Sequence, residues 1–178
     1  MMLLASNTYM VVFRIVHILA GVLWVGSVFL FVIFVSPSAA SIAPAGAPFM
    51  AELLGKRRLV DRIIALALIS VTGGLFLYWR DWHLYGSFGD WIGSSFGATL
   101  TVGMIASLVA LTIGVSGTRP NVRRLLALGR QVAESGGPPT PEVAAQMGAI
   151  QGRLKVLARV SLGLLVLAVL AMATARYL

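Results

Sequence analysis

Val11-Val-Phe-Arg14-Ile-Val-His17-Ile-Leu-Ala-Gly21-Val-Leu-Trp24-Val-Gly26 opens an apolar run that continues without a break to Val35. At 1.5 Å per residue such a run is long enough for a hydrocarbon core of about 30 Å. It carries two ionisable side chains, Arg14 and His17, in a solvent that penalises both. Ser38-Ala39-Ala40 imitates a signal cleavage site, but no Lys or Arg precedes the run and its apolar length far exceeds a signal core. The run therefore reads as a retained transmembrane helix.

The rest of the chain agrees. Of 178 residues, 58% are hydrophobic and 11% charged, and the mean hydropathy is +0.92. Soluble domains are about half apolar and a quarter charged, so this chain belongs to another class. Three further apolar runs follow, Leu59 to Trp79, about Trp91 to Val115 and about Val160 to Ala175. Backbone polar groups in lipid must be satisfied internally, which makes each run a helix. The predicted fold is all-α: one integral membrane domain over residues 1–178, a four-helix transmembrane bundle spanning about 11–35, 59–79, 91–115 and 160–175. A cytoplasmic helical hairpin at about 118–157 joins helices 3 and 4.

Charge sets the expected orientation. Lys56, Arg57, Arg58 and Arg62 lie at the connection between helices 1 and 2. Arg119, Arg123, Arg124, Arg130, Arg153, Lys155 and Arg159 lie at the connection between helices 3 and 4. Only Arg14, Arg80 and Arg176 remain for the opposite side. The positive-inside rule then predicts a multi-pass inner-membrane protein with both termini outside and both basic connections in the cytoplasm. The net charge of +8 is thus expected beside lipid headgroups, and no basic face of a soluble domain points to nucleic acid. With no cysteine, disulfides, thiolate metal sites and cysteine nucleophiles are excluded.

Local chemistry predicts the hairpin. Val122, Leu125, Leu126, Gly129, Val132 and Ala133 recur at helical spacing. Ser135-Gly-Gly-Pro-Pro-Thr140-Pro141-Glu142 then stops one helix and starts the next, with Thr140 as N-cap and Pro141 at the first helical position. From there about 36 residues continue without a breaker, a helix of about 54 Å that overshoots the bilayer. On the other side, the aromatic connection from Tyr78 to Trp91 reads as an interfacial belt. Asp61 and Arg62 read as solvated or headgroup-facing.

His17 is the candidate site. Arg14, His17, Gly21, Trp24 and Val28 share one helix face. Gly21 leaves room for a neighbouring backbone or planar ligand, and Trp24 supplies a flat wall. Gly73, Gly74, Thr99, Thr101 and Met172 fall at a similar depth. Three readings stay open. The imidazole can hydrogen-bond Thr99, Thr101 or a backbone carbonyl and orient the bundle. It can be an axial haem ligand or a copper ligand with Met172 or Met104, making His17 the metal-binding residue and Arg14, Trp24 and Met172 its cofactor-binding neighbours. It can handle protons. Arg14 either snorkels, pairs with Asp81 or Asp90, or holds an anion such as a haem propionate. The stripe Gly103, Ala106, Ser107, Ala110, Gly114 reads as helix packing. No carboxylate lies deep in a run, which argues against ion-coupled transport.

The pattern Arg14-x-x-His17-x-x-x-Gly21-x-x-Trp24-x-Gly26 resembles the first helix of the CopD-like membrane proteins. Thr72-Gly73-Gly74 and the basic hairpin before a final Ala-Arg-Tyr-Leu are most similar to an uncharacterised bacterial four-helix family in that grouping. The HemJ-type porphyrinogen oxidases in the same grouping use a first-helix histidine as a haem ligand, a role the resemblance implies for His17. Those enzymes also carry a basic residue inside a later helix, whereas here no lysine lies between Lys56 and Lys155. The copper-handling members imply more outward His and Met than Met1, Met2, Met10, His17 and His83 supply. The leading expectation is an accessory or structural membrane subunit. The alternative is a b-type haem protein or haem-dependent oxidoreductase with His17 as axial ligand, and a weaker one is a copper-handling permease. The expected partners are the lipid bilayer and, beyond it, a membrane complex, a redox partner or a second copy.

Overall fold

The computed structural model describes Met2 to Leu178, with side chains from Thr8 onward. Met1 and the side chain of Met2, weighed above as outward metal ligands, lie outside the described residues. The chain is helical in the order α1 (Met2–Leu30), α2 (Ser36–Ser41), α3 (Gly46–Ala51), α4 (Leu59–His83), α5 (Phe88–Gly93), α6 (Ser95–Thr112), α7 (Arg119–Ser135) and α8 (Pro141–Thr174). Four stretches, Thr8–Ser41, Leu59–His83, Ser95–Ser135 and Pro141–Tyr177, are long and apolar enough to cross a membrane. The protein is an all-α, four-helix, multi-pass membrane protein.

Two helices run further than their prolines suggest. Wide π turns at Phe31–Val35 and Ile113–Thr118 join α1 to α2 and α6 to α7. Pro37 and Pro120 follow directly, each within the first two positions of the next helix. A proline inside a helix removes a donor and pushes on the carbonyl four residues back. A widened turn there leaves room for the ring, so the first span reaches Ser41 rather than stopping at Val35. The second span is one turn longer than expected and ends at His83. The third starts later: Ser94 is extended (φ −81°, ψ 143°) and caps α6 by accepting from Gly97 N at 3.0 Å. Trp91 is thereby left in the short helix α5.

α1 packs chiefly along α4, and α6 along α8. Contacts of α4 with α6 and of α1 with α8 close the ring. The core takes one residue from each spanning helix, Trp24, Ala67, Ala110 and Leu165. At one end the hairpin of α7 and α8 turns at Gly136, whose positive φ of 66° suits glycine. Thr140 caps α8 through Val143 N. The loop chemistry expected from the sequence is present residue for residue.

At that same end Asp61 is partly exposed and gathers three arginines. Its carboxylate meets Arg119 Nε at 2.7 Å, Arg58 Nε at 3.2 Å and Arg123 at 3.7 Å. One acid at the start of α4 therefore ties the first basic connection to the second. At the opposite end the aromatic segment is more than a belt. Trp91 is fully buried and meets Tyr78, Tyr85 and Phe96 edge to face. A side chain on Gly97 would strike the Trp91 carbonyl and indole, which is why α6 begins with glycine in its first turn.

Candidate functional site: the His17 clasp

The α1/α4 interface is built on glycine. A methyl placed on Gly73 would lie 3.3 Å from His17 Cβ, and one on Gly74 would lie 2.7 Å from His17 Cε1. On the facing helix, a methyl on Gly21 would lie 3.0 Å from Ser70 Oγ. Small residues let two backbones approach in lipid, where dispersion and hydrogen bonds hold helices together. Here the space opened by Gly74 is filled by the imidazole itself.

The contact is reciprocal. His17 Nδ1 lies 2.7 Å from the Ser70 carbonyl oxygen. That oxygen can only accept, so Nδ1 carries the proton. Ser70 Oγ in turn donates to the His17 carbonyl at 3.1 Å. Ser70 is buried within the apolar helix, and this pairing satisfies its hydroxyl where an orphan would be costly. Nε2 is the ring nitrogen left for any further partner.

The other expected neighbours are placed elsewhere. Thr101 does not meet His17: it donates to the Gly97 carbonyl and shares a 2.7 Å contact with Tyr78. Trp24 is buried in the four-helix core beside Ala67, Ala110 and Leu165. Met172 packs on the other helix pair, where a methyl on Gly103 would lie 3.2 Å from its Cγ. Arg14 is exposed and lines a hollow of about 360 Å³ with Met10, Val11 and Arg80. Among the described residues it makes no ion pair. Asp81 pairs with Arg80 at 3.7 Å, and Asp90 accepts from Ser87.

These positions decide the fit of a haem or copper ion. His17 offers Nε2 as a ligating atom with its other nitrogen fixed by a carbonyl, the arrangement that ligating histidines use. A planar cofactor also needs a slot, and the glycine slot is taken by α4 and the imidazole. Trp24, Met172 and Arg14 are committed to three separate surroundings. For copper, His83 donates Nδ1 to the Trp79 carbonyl at 2.7 Å. It lies nine residues, about 14 Å, along α4 from Gly74. Met10 shares its hollow with two arginines, a poor setting for a cation. His17, Trp24, Met172, Arg14, His83 and Met10 thus do not come together as one haem or copper site inside this bundle.

Sequence reasoning left Ser70 out, although Ser70, Gly73 and Gly74 stand at three- and four-residue spacing on one face of α4. A polar residue in register with two glycines was the available signal. No family model, curated protein or solved structure matches the chain.

Proposed function

We propose that this chain is a non-catalytic accessory or structural subunit of a bacterial inner membrane, with both termini outside and the α7–α8 hairpin in the cytoplasm. The reading is carried by the reciprocal His17–Ser70 contact. It uses the intramembrane imidazole to fix how α1 sits on α4. The likeness to the CopD-like proteins is on this reading one of fold. As a subunit the protein works beside another membrane protein or a second copy.

The absorption spectrum and metal content of gently purified protein test this directly. No Soret band and no stoichiometric copper are expected, and His17→Ala changes only stability, by about 1–2 kcal/mol for a lost interhelical bond and its packing. A Soret band that disappears in His17→Ala would overturn the reading in favour of a b-type haem protein. Orientation is tested separately in this cysteine-free chain. Ser87→Cys should react with an impermeant maleimide in intact cells and Gly137→Cys should not; the reverse labelling overturns the topology.

A further inference from the structure

Among the described residues, the arginines of the hairpin fall into two groups. Arg119 and Arg123 are claimed by Asp61. Arg124, Arg130 and Arg153 are claimed by no carboxylate, and of these Arg124 and Arg153 lie together. Those two arginines, from α7 and α8, line one groove of about 230 Å³, together with Asn121, Gln146, Ala149 and Ile150. Ile150 is buried and both arginines are exposed. Two like charges on facing helices repel unless an anion sits between them. The hairpin's own acids, Glu134 and Glu142, are near its far tip and line no part of the groove.

We propose that this groove is a phosphate-binding site that takes the headgroup phosphate of an anionic phospholipid. Guanidinium groups match phosphate oxygens in bidentate geometry, and a pair of them with side-chain amides nearby forms a complete anion cradle. Position selects a lipid as the source. Arg153 precedes the apolar stretch that starts near Val160 by seven residues, about 10 Å along α8. An extended arginine side chain covers most of that distance to the headgroup layer that borders the hydrocarbon core. The site would tie the hairpin to the membrane surface and set its tilt. This inference rests on the membrane spans and the groove, and stands apart from the role proposed for His17.

The test uses the full chain in nanodiscs and in detergent. Native mass spectrometry with phosphatidylglycerol should find retained lipid on the wild type. The Arg124→Gln/Arg153→Gln variant should lose at least about tenfold in retention, as expected for removing charge-assisted pairs. Arg130→Gln, outside the groove, removes a hairpin charge and should bind as the wild type does. Equal retention in wild type and double variant, or an equal loss in Arg130→Gln, overturns the site. Retention of inorganic phosphate with none of phosphatidylglycerol overturns the headgroup assignment. Circular dichroism of the variants, expected to match the wild type because both positions are exposed, separates loss of binding from loss of fold.

Discussion

The two helix pairs of this bundle solve one problem by different means. Along α6 and α8 the contact is apolar and made mostly of small residues: Gly103, Ala106 and Ala110 face Ala168, Ala171 and the larger Leu165, all of them buried. Along α1 and α4 the backbones also come close, but a histidine and a serine are locked across the seam. The first kind of seam gains contact area and tolerates sliding, since a methyl meets a methyl at many registers. The second has a single register, because a donor displaced by one residue loses its acceptor and leaves a polar group in hydrocarbon. The polar pair thus supplies alignment more than strength. Interhelical hydrogen bonds in membranes average only about 0.6 kcal/mol.

That contrast can be broken by adding one methyl to each seam. Gly74→Ala drives a methyl into the imidazole, which is held by its bond to Ser70 and has no easy retreat. Overpacking of this kind costs about 2 kcal/mol, read as loss of stability in reversible unfolding in mixed micelles. A stability equal to the wild type would mean that the ring is free to move and the clasp does not set the register. Gly21→Ala crowds Ser70 Oγ and should cost about 1 kcal/mol. Ser70→Ala costs about 0.6 kcal/mol, and the double variant should cost less than the two together, since removing the hydroxyl makes room for the methyl. Strict additivity would deny the contact. Gly103→Ala is the smallest change expected, about 0.5 kcal/mol: the methyl crowds Met172 Cγ at 3.2 Å, the Ala168 carbonyl oxygen at 3.3 Å and Ala171 Cβ at 3.4 Å, and alanine's helix preference offsets most of that strain. A loss as large as that in Gly74→Ala would erase the distinction between the seams.

What the sequence made legible follows the range of the forces involved. The four spans, the helical hairpin, its turn at Gly136 and the Thr140 cap all depend on chemistry within a few residues, and each could be read in place. The passage of two helices through Pro37 and Pro120 could not, because a widened turn is a backbone compromise with no residue type of its own. Nor could the clasp: Ser70 looks like any other hydroxyl in an apolar run until the rotation of α4 against α1 is known. The ion pairs of Asp61 were out of reach for the same reason. Its partners Arg119 and Arg123 are more than fifty residues away and arrive only when α6 folds back. Trp91 was assigned to the bilayer surface on composition, whereas closure of the turn by Ser87 and Ser94 tucks it beneath the loop.

The wide turn at Ile113–Thr118 has a directional consequence. A π turn accommodates one surplus residue, and each residue of a helix advances the azimuth by about 100°. The arm beyond it is therefore aimed by that surplus. Deleting one residue there would let the rod wind smoothly, yet it would swing Arg119 and Arg123 away from the acid they grip. The irregularity works as a protractor, cut into the helix to set the bearing of the arm it carries.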